Sequence, residues 1–515
     1  FRPEWKRWVT FGLSRETAMA TDGLAATRPV EFPVARPEEA EGMFDVLTYQ
    51  KGCAVLRMLE QYLGTEPFRE GIRRYLDEHR FGNAETTDLW DAIEEATGEP
   101  ARATMDSWIF QGGHPLVTVG LAPDGRTLEL DQRPFRYLAQ EPGGGRWQVP
   151  VLYRAEAGGR SEHGRLLLTA GAGRIGLAGR PELVVVNAGG SGFYRVRYQD
   201  ELFQSVAGAM DRLDGLERCN LVADTWACVL AGLTPAADFV LLARQMSTET
   251  DPTVWDMALG ALDLVDRVLP ERHRPRLQEF VRSVAGPAFA GLGWEPAPGE
   301  PERRGMLRAT LLRALGVLGG DAEVRARAVE LHGALGGAGS AVDPQLLGAL
   351  VRVVAAAGGE EHYQEFLSRW RSPSNPQEEL RYLYGLAAFE DPDLFRRTLD
   401  LALTEVRPQN SAFLLLSALR NRPRGAEAWA FVKRHWDEIA ARVPDNTMRR
   451  MLEGIDTLCS TEVAADARTF LAAHPLHSGQ RTVDQILERL DVHVAFATRE
   501  AAHLGGLLVP GGDRR

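Results

Sequence analysis

The sequence predicts a mixed, mainly α-helical chain in three parts. Residues 1–113 form a helical block, 114–198 a small antiparallel β-sandwich, and 199–515 an irregular, HEAT-like α-solenoid. Apolar residues recur at helical spacing in the first and third parts, whereas they alternate with polar residues in the second. With 515 residues, 44% of them hydrophobic, the chain is long enough for about three or four domains.

The helical block consists of amphipathic segments separated by capping residues. In "TEPFREGIRRYLDEHRFG", Thr65 is the predicted N-cap and Pro67 lies near the first helical position. In "NAETTDLWDAIEEATGEP", Thr86 or Thr87 is the predicted cap. A Gly-Gly pair at the end of "ARATMDSWIFQGG" stops the last helix of the block.

The second part is predicted to contain short strands in sequential hairpins. "PLVTVGLAPDGRTLELDQRPF" is two strands around the turn "PDG", and alternation continues as far as "PELVVVNAGGSGFYRVRY". Strands at this spacing favour an antiparallel sandwich. Beyond residue 199, breaks such as "SPSNPQEE", "EDPD" and "VRPQNS" separate helices without a strict repeat, which indicates an irregular solenoid.

Composition excludes several partners. Lysine and arginine total 59 against 71 acidic residues, and the net charge of -12 argues against nucleic acid or an anionic membrane as a partner. No apolar run approaches the roughly 18 residues that cross a bilayer. The four cysteines show no C-x-x-C spacing, which predicts reduced, mostly buried thiols and a cytoplasmic protein. The sequence indicates no oligomeric state.

Common catalytic motifs are missing from the sequence. The eleven histidines include no H-E-x-x-H pair, and "HPLHSG" places His474 and His477 three apart without a nearby carboxylate or thiol. We interpret these two histidines as structural. The glycine-rich stretches lack a P-loop lysine, and no G-x-S-x-G elbow occurs.

The stretch "FDVLTYQKGCAVLRMLEQYLG", residues 44–64, is a predicted amphipathic helix with Tyr49, Lys51 and Gly52 near its start. Glycine costs about 1 kcal/mol relative to alanine inside a helix, so Gly52 suggests a backbone that lies close to another segment. From this context alone, packing of the Tyr49 ring is the simpler interpretation.

This stretch resembles the tyrosine-bearing helix of the zinc aminopeptidases related to aminopeptidase N and the puromycin-sensitive aminopeptidase. That family has the pattern F-D-x-x-x-Y-x-K-G, which matches Phe44, Asp45, Tyr49, Lys51 and Gly52. "FGNAETTDLW", "MDSWIFQGGHPLVTV", "SGFYRVRYQD" and the long helix near the end are also similar to the family, so the resemblance covers essentially the whole chain.

The resemblance implies a gluzincin metallopeptidase that releases N-terminal amino acids from peptides with one zinc ion. It also implies that 1–113 is the helical end of a thermolysin-like catalytic domain. The zinc ligands and the loop that recognises the substrate amine would precede Phe1, so we expect a C-terminal part of the enzyme that is inactive alone and contains no metal ligand. Substrate-binding residues stay unassigned.

The resemblance also implies roles for individual residues. Tyr49 matches the tyrosine whose hydroxyl stabilises the tetrahedral intermediate, and Gly52 would let its helix approach the metal-bearing helices. Lys51 is interpreted as a helix-positioning residue or a surface charge. Residues at the junction with the sandwich are assigned to packing: Trp108, Gln111 and Pro115. Three solenoid arginines are candidates for a peptide carboxylate, although ordinary solvated charge is the simpler interpretation: Arg407, Arg420 and Arg422.

Two functions follow as alternatives. The first is part of a zinc aminopeptidase with peptide substrates. The second is a non-catalytic module in which the sandwich and solenoid bind peptides or proteins without cleaving them. An upstream sequence that contains H-E-x-x-H would favour the enzyme, whereas an initiator codon directly before Phe1 would favour the module.

Overall fold

A computed structural model describes residues 2–34, 41–138, 145–335, 342–476 and 479–509. It is mainly helical with two small sheets, and it divides into two compact units, Phe1–Thr234 and Pro235–Arg515. The predicted boundaries at 113/114 and 198/199 both fall inside the first unit. The three-domain division therefore stays a prediction.

The first unit contains a helical region, two sheets and two further helices. A π-helical turn, Leu47–Lys51, directly precedes the second helix, so this segment begins with wider backbone geometry than the α-helix expected over 44–64. The helices are α1 Arg7–Asp22, α2 Gly52–Leu63, α3 Thr65–Glu78, α4 Thr86–Thr97, α5 Ala101–Ile109, α6 Asp200–Gly208 and α7 Gly215–Leu230.

Two predicted helix starts lie one residue from the expected cap. Helix α3 includes Thr65 itself and is preceded by Gly64, whose φ of 93° suits glycine. Helix α4 is preceded by Glu85, whose side chain forms a capping box with Asp88. The N-cap is thus a glutamate rather than either predicted threonine.

The strands form a four-stranded and a three-stranded sheet. Their bounds are β1 Pro115–Leu121, β2 Thr127–Pro134, β3 Val149–Ala157, β4 Arg160–Leu168, β5 Ala172–Gly176, β6 Leu183–Val186 and β7 Arg195–Tyr198. The strand orders are β5-β2-β1-β7 and β4-β3-β6. The predicted "PDG" hairpin is confirmed, with Pro115 opposite Pro134 and Leu121 opposite Leu128. Asp124 accepts hydrogen bonds from the amides of Arg126 and Thr127 in this turn.

One strand pair differs from the antiparallel prediction. Strands β1 and β7 pair in parallel, with Leu116 opposite Arg195 and Val119 opposite Tyr198. A hairpin cannot make this pairing, because parallel strands need a crossover, and here the chain between them forms β2 to β6. Inward residues of both sheets share one buried cluster, for example Val117, Val119, Val149 and Val151. The sandwich description itself stays a prediction.

All regular elements in the described residues of the second unit are helices, joined by loops. Its helices are α8 Ala236–Arg244, α9 Pro252–Val268, α10 Arg274–Leu292, α11 Glu302–Arg313, α12 Ala322–Gly333, α13 Leu347–Ala357, α14 Glu360–Arg371, α15 Pro376–Leu386, α16 Pro392–Thr404, α17 Pro408–Leu419, α18 Gly425–Arg434, α19 Trp436–Arg442, α20 Asp445–Leu452, α21 Thr461–Ala473 and α22 Gln480–Leu507. A second π-helical turn, Ala314–Leu318, follows α11. Short 3-10 helices join several elements along the chain.

Proline fixes several of these helix starts. Helices α9, α15 and α16 each begin with proline after an Asp or Asn whose side chain accepts a hydrogen bond from a first-turn amide. Two of them follow the predicted breaks "SPSNPQEE" and "EDPD". Helices α11, α13, α15 and α17 then pack each on the next, and α14 packs on α15. Neighbour-on-neighbour packing is expected for a solenoid, but the specific superhelix stays a prediction.

Each unit has its own buried core. In the first, α1, α2, α4, α5 and both sheets contribute to one cluster. In the second, a cluster extends from Val351 to Leu490. No helix of the described residues is both long and apolar enough to cross a membrane. The four cysteines are free thiols: Cys219 and Cys228 are buried, Cys459 is partly buried, and Cys53 is exposed.

Candidate functional site

Tyr49 lies in the π-helical turn Leu47–Lys51, at the start of helix α2. Its side chain is 55% exposed, and the only aromatic ring beside it in the described residues is that of Phe44, with ring centroids 6.3 Å apart. Single π-helical turns are rare and recur at functional sites. The Tyr49 ring is therefore not buried in the core of the described residues, and its role stays a prediction.

The N-terminal end of the turn is capped by Asp45. Its Oδ1 accepts hydrogen bonds from the amides of Leu47 at 2.9 Å and Thr48 at 3.0 Å. The same carboxylate pairs with Arg28, whose side chain is only 3% exposed. Arg28 also donates to Thr48 Oγ1 at 2.9 Å. Asp45 therefore links the turn to a buried guanidinium.

The C-terminal end of the turn is held by Lys51, which is fully buried. Its Nζ lies 2.9 Å from Oδ2 of Asp22, at the end of α1, and donates a hydrogen bond to the carbonyl of Gly113 at 3.1 Å. The ring of Phe193 lies 5.7 Å from the same Nζ. The surface-charge interpretation of Lys51 is wrong, because its side chain is fully buried.

Asp22 joins several parts of the first unit through one carboxylate. Its Oδ1 accepts hydrogen bonds from the Gly113 amide at 2.8 Å and from Thr27 Oγ1 at 2.5 Å. Burial favours the neutral acid, but the Lys51 ammonium, His114 and the hydrogen bond from Thr27 together outweigh it, so the pKa of Asp22 is lowered. Burial also lowers the pKa of Lys51, and Asp22 opposes that effect. Asp22 is thus an ionised anchor for Lys51.

His114 packs beside this ion pair as a neutral ring. It is fully buried and stacks on Phe135, with centroids 5.3 Å apart. Its Nδ1 is 3.6 Å from Asp22 Oδ2, beyond hydrogen-bond distance, and neither ring nitrogen has a hydrogen-bond partner among the described residues. Burial lowers the pKa of His114 to about 4, although Asp22 opposes this. His114 is therefore uncharged at neutral pH.

Gly52 has ordinary helical backbone geometry, with φ at -55°. A Cβ there would meet only Val30 Cγ1, at 4.0 Å, among the described residues. No close contact inside the described chain therefore requires glycine at this position. The predicted approach to metal-bearing helices stays a prediction.

The junction residues predicted for packing do pack. Trp108 is fully buried, its Nε1 donates to the Gln148 carbonyl at 2.9 Å, and its ring lies beside that of Trp147. Gln111 donates to the carbonyls of Ser107 and Arg146, and Pro115 begins strand β1.

The three solenoid arginines differ in their surroundings. Arg422 lies 2.8 Å from Asp266 and 2.6 Å from Glu271, so carboxylates of its own unit already bind it. Arg407 and Arg420 are exposed. Their contact with a peptide carboxylate stays a prediction, whereas Arg422 has a structural role.

The residues present do not fit a zinc site. Nowhere in the described part of the chain do three or more His, Cys, Asp or Glu side chains come together in a metal-binding group. His474 stacks on Phe470, with its Nδ1 2.9 Å from the Phe470 carbonyl oxygen, which agrees with a structural role. His477 lies outside the described residues.

The supporting residues Asp22 and Arg28 were not identified from the sequence. Both lie in "ATDGLAATRPVEFPV", which shows no charge pattern that indicates their partners. Asp45 had a local signal, since an aspartate before a helix is typical of a cap. No local signal in the sequence indicated that Lys51 is buried, because its partner Asp22 is far from it along the chain.

Comparison with known proteins places this turn in a recognised domain. The Peptidase family M1 domain matches residues 1–108, and the ERAP1-like C-terminal domain matches residues 183–492. Aminopeptidase M1-A of Oryza sativa subsp. japonica is 31% identical over 99% of this chain and 59% of that protein. Tyr49 and its supports from Asp22 to Lys51 therefore lie in the segment that matches the M1 domain.

Two aminopeptidases of Saccharomyces cerevisiae are also similar to nearly the whole chain. "Aminopeptidase 2, mitochondrial" is 27% identical over 97% of this chain and 53% of that protein. "Alanine/arginine aminopeptidase" is 27% identical over 97% of this chain and 59% of that protein. The chain thus spans less than two thirds of the length of these relatives. With its M1 match and an ERAP1-like match that covers more than half of its length, the chain belongs to the M1 aminopeptidase family.

Proposed function

We propose that this chain is the C-terminal portion of a zinc-dependent aminopeptidase that releases N-terminal amino acids from peptides, with Tyr49 stabilising the tetrahedral intermediate. The observation that carries the proposal is the exposed Tyr49 side chain, on a turn held at both ends within the M1-matching segment. The aminopeptidase names of the relatives support the reaction class.

The chemistry needs a hydrogen-bond donor outside the core. When a peptide carbonyl is attacked, negative charge develops on its oxygen, and a donor aimed at that oxygen stabilises the transition state more than the substrate. A phenol hydroxyl carries a proton at neutral pH and can donate without a change of charge. Burial of the ring would prevent contact with a peptide, so its 55% exposure supports the role.

The zinc ion of this proposal has no candidate site among the described residues, where no group of three or more His, Cys, Asp or Glu side chains could hold it. We expect the 515-residue chain alone to bind no catalytic metal and to hydrolyse no peptide. Peptide substrates and the cytoplasmic location are further parts of the proposal. The three segments 1–113, 114–198 and 199–515 are its domain organisation.

The test compares this chain with a polypeptide extended upstream through H-E-x-x-H. Only the extended form should contain zinc and hydrolyse aminoacyl anilides. In that form, Tyr49→Phe should lower kcat by about 10²- to 10³-fold, the effect of losing one oxyanion donor, with little change in KM or zinc content. Undiminished turnover would contradict the role of Tyr49.

A matched control lies on helix α2, which directly follows the turn that carries Tyr49. Tyr62 is only partly buried, and its ring packs against Arg165 at 4.9 Å, so Tyr62→Phe removes one hydroxyl from α2 away from the turn. We expect its turnover to match that of the parent. Peptide binding by the extended form without hydrolysis would favour the interaction module instead.

A further inference from the structure

The direction of the Tyr49 hydroxyl depends on the turn beneath it. The side chain is more than half exposed, and the neighbouring Phe44 ring is itself 70% exposed, so the ring packs against little. An isolated π-helical turn is uncommon because its geometry is less favourable than that of an α-helix. Such geometry persists where surrounding contacts determine it. The contacts at the two ends of the turn therefore decide where the hydroxyl points.

The first end is fixed by charge as well as by hydrogen bonds. Asp45 Oδ1 accepts from the amides of Leu47 and Thr48, two residues of the Tyr49 segment. Arg28 pairs with Asp45 and also donates to the Gly42 carbonyl at 3.2 Å. Because Arg28 is buried, its guanidinium cannot turn away without losing these partners. Asp45 thereby holds the start of the turn against the interior.

The second end is fixed to two distant segments at once. The Lys51 ammonium pairs with Asp22 and donates to the carbonyl of Gly113, whose own amide donates to Asp22. These contacts join the end of the turn to the end of α1 and to the residues just before β1. A shift of the turn would break several of them together.

Stability alone does not explain an ion pair in this position. Moving two charges out of water costs free energy that their attraction only partly recovers, and apolar side chains of similar size often stabilise a fold equally well. Ionic contacts are instead directional, and hydrogen-bonded ones fix both distance and angle. Lys51 lies two residues from Tyr49 in sequence, so its pair with Asp22 can fix the direction of the Tyr49 side chain.

We infer that Asp45 and Lys51 are positioning residues that hold the π-helical turn from its two ends and so aim the Tyr49 hydroxyl. This inference rests on the proposed function of Tyr49. Neither residue is assigned contact with substrate. Arg28 and Asp22 act through them as their interior partners.

The first experiment uses the 515-residue chain and needs no activity. The chain is labelled with 3-fluorotyrosine, and the ¹⁹F resonance of Tyr49 is identified by its loss in Tyr49→Phe. In the double variant Asp22→Asn/Lys51→Met, which leaves no unpaired buried charge, the Tyr49 resonance should shift or broaden. Amide exchange in the turn should become roughly three- to tenfold faster, equivalent to about one net hydrogen bond.

A matched control separates positioning from general loss of stability. Arg154 pairs with the buried Glu217 at 2.9 Å in the same unit, and its partners Glu156, Arg212 and Glu217 lie outside the turn. Arg154→Met should destabilise the chain while the Tyr49 resonance stays in place. Equal shifts in Arg154→Met and in the double variant would overturn the inference.

Asp45 provides a second, gentler comparison. Its side chain is 36% exposed, so variants there should fold even where the double variant does not. Asp45→Asn keeps an oxygen acceptor for the turn amides, whereas Asp45→Ala removes it. Amide exchange and the Tyr49 resonance should change in Asp45→Ala and return most of the way in Asp45→Asn. An unchanged resonance in Asp45→Ala would overturn the inference.

Kinetics of the upstream-extended enzyme distinguish the two levels of the proposal. Asp45→Ala should lower kcat, with Asp45→Asn recovering most of it, while KM and zinc content stay near their parent values. If Tyr49→Phe leaves turnover intact, the proposed function fails even where the resonance moves as expected. If Tyr49→Phe lowers turnover but Asp45→Ala leaves both resonance and kcat unchanged, only the positioning inference fails.

Discussion

The two π-helical turns of the described chain have the same backbone geometry but opposite surroundings. Leu47–Lys51 carries an exposed tyrosine and is held by ion pairs at its ends. Ala314–Leu318 contains only apolar residues and glycine, and its first three residues are buried. The first turn presents a polar side chain outward, whereas the second contributes to a core.

Packing replaces charge in the second turn. Gly316 lies so close to Val353 that a Cβ would come within 2.6 Å of its Cγ2. The Gly319 amide donates to the Ala314 carbonyl at 2.8 Å, which closes the wide π-helical ring. Arg325 donates to the Gly316 carbonyl at 2.7 Å, and Arg282 donates to the Gly319 carbonyl at 2.6 Å. This turn is stabilised by a small residue at a close contact.

The comparison shows that a π-helical turn alone does not identify a functional site. Both turns interrupt the regular ladder of hydrogen bonds, and both need support from their surroundings. The turn supported by buried charges carries an exposed tyrosine, whereas Val317 and Leu318 of the other turn are only partly exposed. The type of support therefore indicates which turn presents a side chain.

The largest expected effect comes from removing the charge under the first turn. Lys51→Met removes the ionic partner of the buried Asp22 carboxylate, and the free energy of unfolding should fall by about 3–5 kcal/mol. Urea unfolding of the 515-residue chain measures this. Asp22→Asn/Lys51→Met should recover much of the loss. If Lys51→Met is as stable as the parent, the first turn does not depend on buried charge, and the proposed difference in support between the two turns is wrong.

The second effect is a pH dependence of stability from His114, which packs beside the Asp22–Lys51 pair under the first turn. The pKa of His114 is about 4 in the folded chain against 6.5 ordinarily, so the unfolded chain binds more protons between these values. Stability should therefore fall as pH drops from about 6.5 to about 4, by about 3 kcal/mol in total from this residue.

His114→Phe tests this dependence without removing a hydrogen bond, because neither ring nitrogen has a partner among the described residues. The variant should show a flatter stability profile over that pH range. Asp22, whose pKa is lowered, keeps its contribution until the pH falls below its ordinary value near 4. Lys51 and Arg195 also face His114, and their positive charges lower its pKa further. An unchanged slope in His114→Phe would show that His114 is not the titrating group.

The third effect tests close packing in the second turn. In Gly316→Ala the new methyl group overlaps Val353, and the free energy of unfolding should fall by about 1–3 kcal/mol. Gly316→Ala/Val353→Ala makes room for the methyl group and serves as the control for the clash. If Gly316→Ala alone is as stable as the parent, close packing does not hold this turn.

The smallest expected change in stability is at Gly52, the glycine that directly follows the first turn. Gly52→Ala meets only Val30 at 4.0 Å and should raise the free energy of unfolding by up to about 1 kcal/mol, because alanine favours helix. In the upstream-extended enzyme, lower turnover with this higher stability would indicate a close contact outside the described residues. A loss of stability in the 515-residue chain would instead contradict the open space seen here.

Local features of the fold could be predicted from the sequence. Asp124 and Gly125 in "PDG" define the β1–β2 turn, and the register of that hairpin follows from the alternation on either side. Prolines at the starts of α15, α16 and α17 mark breaks that were recognisable in the sequence. Tyr49 was found through a motif whose residues lie within nine positions. In each case the partners are neighbours in the chain.

Long-range partners could not be predicted. Lysine is a residue type that usually lies at the surface, yet Lys51 is fully buried against Asp22 and Gly113. Arg422 was a candidate for a substrate carboxylate, yet Asp266 and Glu271 bind it. No local pattern identifies these pairs, because charge and spacing are the same for a solvated lysine and a buried one.

The sequence by itself determined the order of helices and strands, the helix starts with proline, and the position of the tyrosine that the family motif identifies. These depend on propensities and caps that act over a few residues. Only the tertiary structure decided that β1 pairs in parallel with β7, that the tyrosine turn is π-helical, and that Lys51 supports it from the interior. Burial brings together groups that are distant along the chain, and it alone determines which charges meet.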